Sequence, residues 1–298
     1  MDAMNLRRKD GPRVMALREN AGIPYLAFPS FEETGLVIHG FSTRLGGVSK
    51  GDCATMNFAQ NRGDDPANIR ENYRRMGAAL DFDPERMVLS RQTHTTNIRL
   101  VTEEDAGKGY CRDRDYDNID GLMTNVPGLV LVTSYADCVP LLFVDPVRRV
   151  VAASHSGWRG TAKRMGHRTV EAMREAYGCR PEDLVVGIGP SICQECYEVS
   201  EDVAEIFAEE FGLDLSDGGG AEKTGRCAVL RETPGKSGKY QLNLQQANVR
   251  ILTEAGVRPE RISVTDICTC CNKEVLFSHR GSEGRRGNMA AFLGLRKG

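Results

Sequence analysis

Residues 136–160 read ADCVPLLFVDPVRRVVAASHSGWRG: a cysteine, an apolar run, a turn, a second apolar run and a histidine. The two runs have the length and composition of buried strands, and Asp145-Pro146-Val147-Arg148 between them suits a type I turn, with Asp at its first position and Pro at its second. Pairing Asp145 with Arg148 sets Cys138 directly opposite His155 on one face of the hairpin, with Cβ atoms roughly 4.5–5.5 Å apart. Such a pair can share a metal ion, or the imidazole can take the thiol proton. The same residues also fit a buried structural thiol and a strand-end histidine. Pro140 lies inside the first run, where a bulge would shift the register. Two neighbours favour chemistry. Asp137 is an acid in an otherwise apolar segment. The second run passes through Gly157 and Gly160 into a helix start with Arg159 between them, and helix amides with an arginine make an anion site.

Outward from the hairpin, strand and helix patterns alternate. YLAF, GLVIHGFST, MVLSRQTH (ending on His94), GLVLVTSYADCVPLLFVD, RRVVAASH, DLVVGIGP and RISVTD read as strands. Residues 65–82 read as a helix with Ile69, Tyr73, Met76 and Leu80 on one face. Residues 161–178 read as one helix carrying Met165, Thr169, Met173 and Ala176 and stopping at Gly178. Two further helices are expected in SEDVAEIFAEEFG, with Ser200 as N-cap, and in LNLQQANVRILTEAG. LSDGGGAEKTGRC, residues 215–227, reads as a surface loop. Short links between strands favour antiparallel or mixed pairing. The expected class is α+β (mixed α/β), a single domain of mixed sheets flanked by helices, and not a doubly wound parallel sheet.

The 298 residues, 40% hydrophobic and 27% charged, suit an ordinary globular chain that buries a core without disulfides. A formal net charge of −2 gives no global attraction to nucleic acid or membrane, so any anion site must be local. The polar start lacks the apolar h-region of a signal peptide, and no stretch is apolar for the length of a membrane span. A cytoplasmic protein is therefore expected, its ten cysteines reduced and some of them on metal. A monomer is favoured, with the oligomeric state open.

HGFSTRLGGVSKGDCATMNFA (39–59), LSRQTH (89–94), DGLMTN (120–125), ADCVPLLFVDP (136–146), SHSGWRG (154–160), GIGPSICQECYEV (187–199) and FSHRGSEGRRGNMAAFLGL (277–295) follow one another along the chain. In this order they resemble the YfiH-like family, also called laccase-domain or polyphenol oxidase proteins, over residues 36–295. The resemblance implies one mixed α/β catalytic domain, residues 36–298 behind an N-terminal segment 1–35, similar in fold to the catalytic domain of cytotoxic necrotizing factor. It implies a zinc-dependent purine nucleoside phosphorylase acting on adenosine, inosine, guanosine and methylthioadenosine that also deaminates adenosine, with purine nucleosides and phosphate as its partners. It implies one metal held by His94, Cys138 and His155. Three such donors leave a fourth position open, as catalytic zinc requires. Where many members have a serine-tyrosine-arginine run and a Thr-Gly-Arg-Met stretch, this chain has SHRGSEGRRGNM.

Other residues enter as candidates. Arg44 precedes Gly46 and Gly47 and is expected to hold phosphate, with Arg159 assisting. Asp137 is the expected proton donor to a departing purine. Asn57 and Gln92 would read a purine or ribose edge, though amides at strand ends are commonly structural. Cys193/Cys196 and Cys268/Cys271 form two C-x-x-C pairs about 70 residues apart. They are expected to be separate reduced thiols rather than a second zinc site or a redox pair, so the metal content should be nearer one than two per chain. Two other classes stay open. His₂Cys with a methionine would suit copper, and hence a laccase-like oxidase, but a multicopper enzyme needs more histidines than five. Cys138 and His155 could also be nucleophile and base of a thiol hydrolase.

Overall fold

The apolar runs around the hairpin form the centre of the structure, a computed structural model that describes residues 6–215 and 228–297. All but the first residue of the expected loop 215–227 lies outside the described residues. Two six-stranded sheets stack face to face. The first, in spatial order, is β1 (Ala16–Asn20), β2 (Ile23–Ala27), β3 (Val37–Ser42), β15 (Met289–Leu295), β7 (Val130–Tyr135) and β4 (Met87–Leu89). The second is β14 (Ile262–Val264), β10 (Val185–Ile188), β8 (Val139–Asp145), β9 (Val150–Ser156), β6 (Gly121–Thr124) and β5 (Ile98–Leu100). A small third sheet joins β11 (Glu198–Ser200), β13 (Lys239–Leu242) and β12 (Leu230–Glu232). Pairing is mixed: β8/β9 and β3/β15 are antiparallel, β4/β7 and β5/β6 parallel. The N-terminal segment contributes β1 and β2 to the first sheet.

Alternation along each strand builds the layers, because successive side chains point to opposite faces. Leu131, Leu293, Leu142, Val151 and Ala153 meet between the sheets. Their neighbours Val132 and Phe292 face the helix Pro66–Leu80. Leu141, Phe143, Val150 and Ala152 face a helical layer that includes Met165–Tyr177, Glu201–Phe211 and Leu244–Glu254. The central strands are buried on both faces, so they read as continuous apolar runs. The helix expected at 65–82 begins where Asp65 accepts a hydrogen bond from the Ala67 amide at 2.8 Å, and Ile69, Tyr73, Met76 and Leu80 are all buried. Among the described residues no helix is long and apolar enough to cross a membrane.

Three expectations are corrected. Asp145 pairs with Val150, not Arg148. Its Oδ1 accepts from the Val147 and Arg148 amides, both at 2.8 Å, and Arg149 turns left-handed at φ 54°. The turn therefore takes four residues, and His155 stands opposite Pro140. A slip of two keeps every side chain on its face. Cys138 and His155 still share the inter-sheet side, where Cys138 packs with the core and the His155 ring lies 5.6 Å from that of Tyr135. The strand expected to end on His94 stops at Leu89. The single helix expected over 161–178 is two, Trp158–Ala162 and Met165–Tyr177, broken where Arg164 adopts φ 60° and its guanidinium ties to Glu210 and Glu254.

Asp145→Ala removes the acceptor that shapes the turn and should lower the unfolding free energy in urea by about 1–2 kcal/mol. Asp145→Asn keeps an acceptor and should recover most of that. Equal midpoints for wild type and Asp145→Ala would contradict the turn described.

Candidate active site

At one end of the inter-sheet layer lies Asp120, fully buried, just before β6. Its Oδ2 accepts from the amides of Thr93 at 2.9 Å and Thr95 at 3.0 Å and from the Thr95 hydroxyl at 3.0 Å. Its Oδ1 accepts from the His94 amide at 3.1 Å and lies 2.8 Å from His155 Nδ1. Its carbonyl also accepts from the His155 amide at 2.8 Å. One carboxylate thus gathers the loop 93–95 and the end of β9. His94 takes a left-handed backbone, φ 65°, and its ring centroid lies 5.0 Å from that of His155. With Cys138 these residues offer ligand atoms within 4.8 Å of one another.

Gly157 closes over this group. A Cβ there would fall 2.9 Å from Cys138 Sγ and 3.2 Å from His94 Cδ2, so no larger residue fits without moving a donor. The glycine of SHSGWRG is thus required for close approach rather than for its dihedral freedom.

The charges support a cation site. Burial alone would push the Cys138 thiol up, but the neighbouring His155 and His94 outweigh it and hold the thiol well below its ordinary range. Burial would lower His155, yet Cys138 and Asp120 outweigh it and raise the imidazole. Each of the two thus favours the charged form of the other. Since Nδ1 is engaged by Asp120, Nε2 is the ring nitrogen left for a ligand. A thiolate, two imidazoles and a carboxylate behind one of them match the donor chemistry and outer support of a zinc site with one open position.

A cavity of roughly 220 Å³ borders the triad and is lined by Gln92, Arg114, Arg286 and Asn288, among others. Arg286 is half-buried. Burial first, and then the like charge of Arg62, push its guanidinium down to about 10. Its Nη1 reaches Asn288 Oδ1 and, at 3.3 Å, the Gly287 carbonyl, while its buried Nε has no hydrogen-bond partner. A guanidinium with an unsatisfied N–H next to a second cation is suited to an anion.

The other candidates are placed as follows. Gln92 lines the cavity, but its amide is clamped to Ser134, with Oε1 accepting from the backbone amide and Nε2 donating to the carbonyl, both at 2.8 Å. Asn57 is fully buried: it donates to Asp64 Oδ2 at 2.8 Å and accepts from the amides of Ala59 and Asn288 at 2.8 and 2.9 Å. Arg44 is not brought to this cavity. It donates to the carbonyls of Ala54 at 2.9 Å and Lys273 at 2.8 Å and lies over the Phe277 ring at 4.6 Å. Gly47 beside it is pressed to the Thr55 backbone, where a Cβ would sit 2.1 Å from the carbonyl oxygen. That loop is knitted to itself, and Arg44 borders a separate cavity with Asp52, Glu283 and Arg285. Arg159 lies over Trp158 at 4.2 Å. Asp137 is buried with φ 87°, and both its carboxylate oxygens accept, one from the Thr269 hydroxyl at 2.6 Å and one from the Arg280 amide at 2.7 Å. Asp120 and Arg286 were not candidates from sequence. An acid at the head of the apolar strand DGLMTN was the available signal for the first.

The two C-x-x-C pairs, expected as reduced thiols, are free cysteines that converge. The Sγ atoms of Cys193, Cys196, Cys268 and Cys271 all lie within 4.8 Å of one another, because Ser191 and Cys268 pair across a parallel bridge and bring the two segments together.

Two outcomes follow. Gly157→Ala should weaken zinc binding at the triad by about tenfold or more, the scale of a disturbed ligand shell, with little change in far-ultraviolet circular dichroism; unchanged affinity would contradict the packing described. In metal-free protein, alkylation of Cys138 should persist well below pH 8.5, because the depressed thiol stays ionised there. A rate that falls tenfold per unit from pH 8.5 downward would show an ordinary thiol.

The chain is similar to known proteins over most of its length. Residues 38–296 match the model of the family described as multi-copper polyphenol oxidoreductase laccase. The chain is 34% identical to the purine nucleoside phosphorylase YlmD of Bacillus subtilis over 266 residues, 88% of this chain and 89% of that protein. It is 30% identical to the adenosine deaminase RL5 of an unknown prokaryotic organism, over 82% of this chain and 88% of that protein. The crystal structure of YlmD from Geobacillus stearothermophilus superposes with a TM-score of 0.83 at 33% identity, covering 96% of this chain and all of that one, 100%. The fold expected from sequence is the one these structures share, and the chain belongs to the multi-copper polyphenol oxidoreductase laccase family, whose members include the YfiH and YlmD proteins.

Proposed function

We propose that this chain is a zinc-dependent purine nucleoside phosphorylase, acting on adenosine, inosine, guanosine and methylthioadenosine, with adenosine deaminase activity. The observation that carries the reading is the His94/Cys138/His155 donor set beside a cavity lined by the half-buried Arg286. The names of the relatives supply the substrate class. Zinc suits the donors and would supply a Lewis acid with one open position facing the cavity. Copper of the multicopper kind is disfavoured. Of the five histidines, only His94 and His155 belong to a group of three or more possible ligands among the described residues, and His39 is spent accepting from the Phe28 amide at 2.9 Å.

Within this reading Asp120 fixes the orientation of His155 and, through its amide, His94. The phosphate role expected of Arg44 passes to Arg286, which lines the cavity, while Arg62 adds charge. Asp137, with both oxygens occupied, acts as a positioning residue behind Cys138 and not as a proton donor. A second reading has its own observation: Cys138, His155 and Asp120 stand in the order nucleophile, base and orienting carboxylate, as in a thiol hydrolase.

Adenosine offered to the zinc-loaded protein separates these. Adenine and ribose 1-phosphate should form only with phosphate, inosine should form with or without it, and both should stop on chelation. Activity that survives chelation would favour the thiol reading. Arg286→Ala should raise the phosphate concentration needed for phosphorolysis by about ten- to a hundredfold, the worth of one charge-assisted contact, and affect deamination less. Equal losses in both reactions would remove Arg286 from the phosphate site.

A further inference from the structure

We propose that Cys193, Cys196, Cys268 and Cys271 bind a second, structural zinc ion, and that this ion holds the backbone behind Cys138. The proposal does not depend on the substrate reading.

Each C-x-x-C sits on a tight turn, at Gln194–Cys196 and at Cys270–Asn272. The two turns are held side by side by the Ser191/Cys268 bridge and by a hydrogen bond from the Thr269 amide to the Ser191 carbonyl at 3.1 Å. Four sulfurs then meet within 4.8 Å, with Cys196 and Cys271 at 3.5 Å. A tetrahedron of Zn–S bonds has sulfur–sulfur edges of about 3.8 Å, whereas a disulfide would bring two sulfurs to about 2.0 Å. The amides of Cys193 and Cys271 donate to Cys268 Sγ at 3.2 and 3.4 Å, the pattern a thiolate draws. Cys193 and Cys268 are buried, Cys196 is half-buried and Cys271 is exposed, so the ion would seal the two turns from the surface. Packed this closely, four ionised sulfurs would need a cation between them. Four protein ligands leave no open position, which marks a structural rather than a catalytic site. Cys270 lies within the second run but is not among the converging sulfurs, and its Sγ lies toward Gly281.

Both turns grip Asp137, the residue before Cys138. The Ile192 amide donates to its carbonyl at 3.0 Å, and the Thr269 hydroxyl to its carboxylate at 2.6 Å. Ile192 precedes Cys193, and Thr269 follows Cys268. The Arg280 amide takes the other oxygen at 2.7 Å, and the Arg280 side chain reaches the Cys196 carbonyl at 3.4 Å. Asp137 sits in a left-handed backbone, φ 87°, that a non-glycine residue keeps only when its surroundings enforce it. The cysteine cluster supplies that enforcement.

Elemental analysis and native mass spectrometry of the full chain should give two zinc ions per chain, falling to one in Cys271→Ser and to one in Cys138→Ala. In a Cys138→Ala background, four thiols should become reactive to a thiol reagent only when a chelator is added, a count that holds even if Cys271→Ser folds poorly. Cobalt put in place of zinc should show intense thiolate charge-transfer absorption that Cys271→Ser removes. Zinc at the triad should bind about ten- to a hundredfold more weakly in Cys271→Ser, the scale of a disturbed support shell. One zinc per chain, lost only with Cys138, would overturn the site. So would a mass short of two hydrogens with Cys196 joined to Cys271. Unchanged triad affinity in a Cys271→Ser protein that has lost its outer zinc would overturn the coupling to Cys138.

Discussion

The carboxylate of Asp120 is the fixed point of this molecule. It is fully buried, and it is satisfied by three amides, one hydroxyl and the His155 imidazole. A buried charge is tolerable only when its lone pairs are filled in this way. The donors come from segments far apart in sequence, so satisfying the charge also closes the loop 93–95 onto the end of β9. The need to neutralise one acid and the need to converge two histidines are met by the same contacts. Cys138 and Asp120 both act on His155, raising its imidazole.

The two-sheet stack makes that convergence possible. Strand alternation sends His155 and Cys138 into the inter-sheet layer, continuous with Val151, Ala153 and Leu142. At the open end of that layer apolar packing gives way to polar side chains, and the cavity begins. The cavity is thus the unfinished edge of the core, beside the His94, Cys138 and His155 side chains.

The hairpin was legible in sequence because apolar runs, an Asp-Pro turn and two chemical residues at its ends leave few alternatives. Its register was not. The Asp145 side chain binds two amides, which lengthens the turn by two residues, and local composition does not distinguish the two loops. The slip left the faces intact, so the metal donors were still read together. Arg44 was not placed by sequence, because an arginine before two glycines looks alike whether it cradles an anion or ties a loop; in the structure it binds the Ala54 and Lys273 carbonyls, away from the triad cavity. The cysteine pairs were invisible as a unit since a parallel bridge between residues 191 and 268 joins them, and no spacing rule spans such a distance. Asp120 lay in a quoted motif, but an acid at a strand head does not announce which histidine it will hold.

The account stands or falls on whether Asp120 organises the metal donors. The direct measurement is the zinc affinity of the triad in wild type and in Asp120→Asn, read by competition with a chelator and followed through protection of Cys138 from alkylation, which reports this site alone. Loss of the carboxylate charge should weaken zinc binding by about ten- to a hundredfold and slow alkylation of the metal-free thiol near neutral pH. Equal affinity and equal thiol reactivity in the two proteins would contradict it.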